Sequence, residues 1–276
     1  MVAASAAEPI QTVKIQEDNP LSPARRVILL GASNLTRGIS TVVEIAKAQW
    51  GSPLDIMSAL GHGRSYGKTQ RVLGRTLPGI TECGLWHDLD KRPQADTASL
   101  ITDVGNDLLF GVSPIQVVEW IDQCLERLAS VSRSLVITEL PLSNLSKLPA
   151  SRFRLFRTIL FPSCRMTLLE TGKAAEDLND GLLKLANRYR AQVVRPDEAW
   201  YGIDPIHIKM RHWPAAWARI MQPWSKQPLA GPAKGSFFRW LWLRLLTPHY
   251  RQILGIDQRK KQPAARFADG SQISLY

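Results

Sequence analysis

Residues 26–38, RVILLGASNLTRG, decide how the chain is read. Val27, Ile28, Leu29 and Leu30 form an unbroken apolar run that stops on Gly31, with Ala32, Ser33 and Asn34 behind it. A short run without polar alternation is the pattern of a strand buried on both faces. The small residues that follow leave open space around a hydroxyl.

Four similar runs lie further along: residues 54–60 (LDIMSAL), 99–104 (SLITDV), 134–140 (SLVITEL) and 191–196 (AQVVRP). Helix-like segments separate them, at 39–49, 66–76, 115–131 and 173–189. In the third, Ile115, Val118, Ile121, Leu125 and Leu128 recur at steps of three and four, which predicts one face packed on a sheet. Apolar strands alternating with amphipathic helices predict an α/β fold, a three-layer α/β/α sandwich on a five-stranded, mostly parallel, flavodoxin-like sheet. Residues 1–23 are polar and aperiodic and are expected to be a flexible lead-in. Residues 24–225 form the expected catalytic domain, and 226–276 a basic, Trp-rich extension.

In an open parallel sheet, ligands bind beyond the carboxyl ends of the strands. Those ends carry GASN (31–34), GHGRSYG (61–67), GND (105–107) and, after the fifth run, GIDPIHIK (202–209). Singly, each has an ordinary explanation. Ser33, Asn34 or Thr36 could cap a helix, Asp204-Pro205 is a common helix start, and Asn106-Asp107 suits a turn. Together they supply a nucleophile, a base, a group to orient the base and donors for an oxyanion, which is the equipment of acyl transfer.

The ordered set LLGASN, SALGHG, GND and DPIH resembles the SGNH hydrolases of the GDSL lipase/esterase class, over about residues 26–225. The resemblance implies Ser33 as nucleophile, His207 as general base and Asp204 as its orienting acid. It also implies an oxyanion hole made of the Ser33 N–H, the Gly63 N–H and the Asn106 amide, with Gly61 the alternative to Gly63. One position departs from the pattern: the aspartate that precedes the serine in the family motif is Ala32 here. The implied activity is cleavage of an ester through an acyl-enzyme, without metal or organic cofactor. The alternatives are an acyltransferase with the same triad, and a catalytically silent scaffold at a membrane surface.

Other constellations are weaker. GHGRSYGKT (61–69) ends like a phosphate loop, but His62 stands where that loop needs its first glycine. Cys83 and His87 have metal-compatible spacing without a second ligand pair. His212, unlike His207, has no acidic residue three positions before it.

The net charge of +11 is concentrated at one end. From Lys226 onward, nine basic residues face only Asp257 and Asp269, a surplus of +7. Within this region residues 236–254, SFFRWLWLRLLTPHYRQIL, are apolar, basic and aromatic, so either docking on the body or contact with an anionic membrane surface is expected. No nucleic-acid recognition module is visible. Three scattered cysteines and no long apolar span lead us to expect a cytoplasmic protein, peripherally membrane-associated if the tail meets lipid.

Overall fold

The computed structural model describes residues 24–72, 74–202, 204–225, 231, 233 and 235–276. The expected lead-in, 1–23, lies outside the described residues.

The five apolar runs are strands, and they are parallel. Their ranges are β1 (Arg25–Leu30), β2 (Leu54–Ala59), β5 (Asp96–Ile101), β6 (Ser134–Thr138) and β7 (Gln192–Val194). They lie in the order β2-β1-β5-β6-β7, the flavodoxin-like arrangement, with β1 at its switch point. β1 pairs along its full length with both neighbours, and Val27 to Leu30 are wholly buried, so no solvated face requires polar alternation.

Between them stand α1 (Ser33–Trp50), α2 (Leu85–Asp90), α3 (Asn106–Leu109), α4 (Pro114–Ala129), α5 (Leu142–Ser146), α6 (Ala150–Leu160) and α7 (Leu168–Tyr189). The helix α8 (Trp213–Met221) follows the last of the five strands. Two apolar cores result. One packs α4 and α7 on the sheet through Ile121, Leu125, Leu178 and Leu182; the other packs α1 and α8 on its opposite face through Leu35, Val42, Trp217 and Ile220. Within α4, Ile115 departs from the expected buried face: it is 74% exposed, and Val117 and Cys124 are buried instead. Ile115 sits at the first turn, where Ser113 caps the helix at the surface.

Residues 66–76, expected as a helix, instead include an antiparallel hairpin of β3 (Gln70–Val72) and β4 (Arg75–Leu77). Gly74 has φ of +74°, a left-handed turn conformation that ends helical propagation.

The sheet is also larger than the expected five strands, and the additional strands come from the tail. α9 (Phe237–Leu245) is followed by β8 (Tyr250–Ile253), β9 (Ile256–Arg259), β10 (Ala265–Arg266) and β11 (Gln272–Leu275). β11 runs parallel to β2 and β10 pairs with β11, giving seven strands in the order β10-β11-β2-β1-β5-β6-β7. β8 and β9 join the hairpin in a second sheet, β3-β4-β8-β9. Residues 237–275 therefore pair and pack with the elements before residue 225. α9 lies on α1, where the indole of Trp240 donates to the Arg37 carbonyl at 2.9 Å and Leu243 is buried. Phe237, Phe238, Leu241 and Leu245 face outward. Of the basic residues expected at a lipid surface, Arg239 pairs with Glu44, Arg244 lies across the Trp240 ring and Arg251 donates to Gln258.

In β2, the buried Asp55 accepts from Arg26, Arg92 and Gln272, so its charge is met by two guanidinium groups and an amide, and β11 is tied to β2 through its side chains as well. None of the helices among the described residues is long and apolar enough to cross a membrane. The integration of the tail gives a direct expectation. Ile273 is 0% exposed in β11, and Ile273→Ala should cost about 2–4 kcal/mol in a urea unfolding experiment. A dispensable extension would give no change.

Candidate functional site

At the carboxyl end of β1 the chain turns through Gly31 and Ala32 into α1, whose first residue is Ser33. No side chain of Ala32 caps this helix. Its N-terminus is served instead by Asp103, beyond the end of β5. One carboxylate oxygen, Oδ2, accepts the N–H groups of Ala32, Asn34 and Leu35 at 3.0, 2.9 and 3.2 Å. The N–H of Ser33 is absent from that set. A negative group at a helix N-terminus also meets the positive end of the helix dipole. Asp103 pays no attention to ordinary backbone preference, with φ of +60°, a conformation uncommon outside glycine.

Asn34 extends this anchor. Its amide nitrogen donates to Asp103 Oδ1 at 2.8 Å and to the Ile206 carbonyl at 2.9 Å, and its oxygen accepts the N–H of Ile208 at 2.8 Å. His207 is thereby held between two backbone contacts to the residue next to Ser33. Its Nε2 lies 2.9 Å from Ser33 Oγ and its Nδ1 2.6 Å from Asp204 Oδ2. The other oxygen of Asp204 accepts the N–H groups of Ile206 and His207 at 3.1 and 3.2 Å. Burial works against the Asp204 carboxylate, but the hydrogen bond and charge of His207 and the two backbone donors outweigh it and hold its pKa below the usual range. A carboxylate that stays ionised fixes the imidazole tautomer in which Nε2 faces the hydroxyl.

Asn106 opens α3 beyond β5. It is 9% exposed, and its Nδ2 is buried without a hydrogen-bond partner among the described residues. An amide donor left unpaired in a protein interior costs on the order of 1–3 kcal/mol. Asp107, next in sequence, is fully buried and accepts from the Ser65 hydroxyl and from the Tyr66 N–H at 2.9 Å. Burial pushes its pKa up to about 6, against the pull of those donors. These bonds fasten the loop after β2 to α3. In that loop Gly63 has φ of +60°, and a Cβ there would stand 2.8 Å from Val72, so the backbone needs glycine.

The residues singled out in the sequence thus fall into a joined group and a separate one. Ser33, His207 and Asp204 form one hydrogen-bonded chain, while Asn106 and the Gly63 loop stand on neighbouring strand ends. His212 lies apart, receiving a hydrogen bond from Arg211. His62 is half-buried. Burial, then the charges of Arg244, Arg75, His207 and Arg37, lower its pKa to about 4, so it is neutral at pH 7. Beside Ser33 opens an apolar cavity, lined among others by Leu108, Leu140, Leu145, Phe156, Leu160 and Phe161.

Two positions that hold this arrangement together are not legible as such in the sequence. Asp103 lies within the apolar run 99–104, where a carboxylate among the last residues is itself a signal, and Asn34 reads only as a cap.

No family model matches the chain, and no curated protein matches it. Among solved structures the chain is similar to an aryl esterase of M. smegmatis, with 12% identity over 71% of this chain and 94% of that one, at a TM-score of 0.47. It is similar to TesA, with 12% identity over 72% and 97% and a TM-score of 0.46. A third is AlinE4, an SGNH-hydrolase family esterase, with 19% identity over 63% and 77% and a TM-score of 0.41. Likenesses of this degree concern the course of the backbone.

Asp103→Ala would strand three buried N–H groups and release Asn34. We expect a stability loss of about 2–4 kcal/mol by chemical denaturation, with Asp103→Asn intermediate because its carbonyl still accepts. A change below about 0.5 kcal/mol would show that the helix N-terminus does not depend on this carboxylate.

Proposed function

We propose that the protein is a serine hydrolase that cleaves an ester with an apolar acyl group. The observation that carries this reading is the unbroken hydrogen-bond chain from Ser33 Oγ through the His207 ring to Asp204, at 2.9 and 2.6 Å. Around it, the unpaired Asn106 amide supports a waiting site for negative charge, and the adjoining apolar cavity supports an acyl group without charge.

In this mechanism His207 Nε2 takes the hydroxyl proton as Ser33 Oγ attacks the acyl carbon. The carbonyl oxygen becomes an oxyanion and accepts from Asn106 Nδ2 and from the N–H groups of Ser33 and Gly63. Collapse of the intermediate breaks the carbon–oxygen bond to the alcohol, which leaves with the proton from His207. Water then enters, gives a proton to His207 and attacks the acyl-enzyme. The carboxylic acid departs and the proton returns to Ser33 Oγ. Asp204 remains ionised throughout and stabilises the imidazolium that forms twice per turnover. Ala32, in place of the motif's aspartate, removes none of these groups.

The test is steady-state turnover of a soluble ester with an apolar acyl chain. Ser33→Ala should abolish it while the thermal melt stays close to that of the parent, because only the attacking atom is lost. Asn106→Ala should lower kcat by about 10²–10³ with a smaller change in KM, since its bond tightens only as charge develops. Turnover by Ser33→Ala near the parent rate would overturn the assignment, and an effect of Asn106→Ala on KM alone would remove it from the oxyanion hole.

A further inference from the structure

Ser33 stands at the end of β1, and the sheet order divides its surroundings. Beyond β5, β6 and β7 the loops and helices build the apolar cavity. On the side of β2 and β11 there is a second cleft, whose largely apolar walls carry a cluster of positive charge. Ile39, Leu60, Leu77, Leu243 and Ile273 line it together with Thr36, one turn beyond Ser33 on α1, and three arginines: Arg75 of β4, Arg244 of α9 and Arg251 of β8. Its lining contains no Asp or Glu.

Three guanidinium groups from three different elements converge there, and none forms an ion pair among the described residues, although Arg26, Arg92, Arg133, Arg188, Arg195, Arg219 and Arg239 all do. The half-buried Arg75 has no side-chain hydrogen bond among the described residues, and one of its terminal nitrogens lies 3.5 Å from where a Cβ on Gly61 would be. It therefore rests against the glycine loop that carries Gly63. Arg251 uses only its Nε, toward Gln258, and Arg244 rests on the face of Trp240 at 5.0 Å. Burial, then the charges of Arg251, Arg64 and Arg244, depress the pKa of Arg75, so the cleft holds repulsion that an anion would relieve. His62, next to Gly63 in the glycine loop, is within the influence of Arg244 and Arg75 as well as of His207.

We propose that this cleft is a phosphate subsite for the alcohol portion of the substrate. Resting on the ester-cleavage reading, it makes the substrate an ester whose acyl chain is apolar and whose leaving alcohol carries a phosphate. Guanidinium forks suit phosphate oxygens, since each can give two parallel N–H donors. The two halves of such a substrate would lie on opposite sides of β1, with the scissile carbonyl over Ser33 between the donors of the β2 and β5 loops. The arginines are thus specificity determinants.

The experiment pairs two soluble esters with the same short acyl chain, one of glycerol and one of its phosphomonoester, against the full-length protein and its Arg75→Gln, Arg244→Gln and Arg251→Gln variants. Arg244 is exposed at the mouth of the cleft, so Arg244→Gln keeps the test independent of any folding defect in the more buried positions. The parent should favour the phosphorylated ester in kcat/KM by roughly 10-fold or more, and each substitution should shrink that ratio by about 10-fold. Inorganic phosphate should compete with the phosphorylated ester and raise the melting temperature of the parent more than that of the variants. Equal kcat/KM for both esters, or a preference unaltered in all three variants, would overturn the proposal. Phosphate that raises the melting temperature without any preference between the esters would identify a site for free phosphate and equally reject the leaving-group role. If neither ester is turned over, the ester-cleavage reading fails instead; the difference in phosphate-induced melting shift between parent and variants then still decides whether the cleft holds an anion, and its absence rejects the subsite.

Discussion

The carboxylate of Asp103 joins the parts of the site that lie far apart in sequence. It accepts three backbone N–H groups at the start of α1 and the side chain of Asn34, and Asn34 in turn grips the backbone on both sides of His207. Through these bonds the ends of β1 and β5 and the loop carrying Asp204 and His207 become one unit. The conformation of Asp103, at φ of +60°, is tolerated because the surrounding hydrogen bonds fix it. Local strain of this kind is accepted where it aims a group, and here the group is an acceptor directed at a helix end that has no capping side chain of its own.

A second set of contacts sets the other half. Asp107 fastens the glycine loop to α3, so Gly63 and Asn106 are positioned by one buried carboxyl. Because β1 sits between β2 and β5, Ser33 has the Gly63 loop on one side and Asn106 on the other, which are the two proposed oxyanion donors from outside α1. The same division gives the proposed substrate its polarity: apolar helices cover the β5–β7 side, while the tail brings Arg244 and Arg251 to the β2 side. The tail is therefore a part of the site's architecture. Its strand β11 completes the sheet beside β2, and α9 holds one wall of the basic cleft.

Much of this was legible in the sequence for plain reasons. The five strands are apolar without alternation because both faces of the sheet are covered, and the chemical residues stand where parallel strands end. Ser33, Asn106, Asp204 and His207 are short-range motifs at such ends, so their order could be read even though their contacts span 174 positions between Ser33 and His207. The unread parts depend on distant partners. β11 reads Gln-Ile-Ser-Leu, and only pairing with β2 and the bonds of Gln272 to Asp55 and Ser274 to Arg92 make its polar residues suitable for burial. The hairpin of β3 and β4 gains its second partner from β8, more than 170 residues away, which no local periodicity announces. Asp103 is not legible because a carboxylate serving a helix N-terminus 69 positions away leaves no local capping pattern. The basic surplus of the tail leaves docking on the body and contact with an anionic surface equally readable, and that Arg244 and Arg251 line a cleft with Arg75 of β4 is visible only in the fold.

The central claim is that Ser33 is a nucleophile made reactive by His207. Its most direct test is intact-mass and peptide-mass spectrometry of the folded protein after exposure to a fluorophosphonate. The account predicts one covalent adduct per chain, located on Ser33, forming at a rate that His207→Ala reduces by at least about 10²-fold. No adduct on the folded protein, an adduct on another residue, or labelling of Ser33 at an undiminished rate in His207→Ala would contradict it.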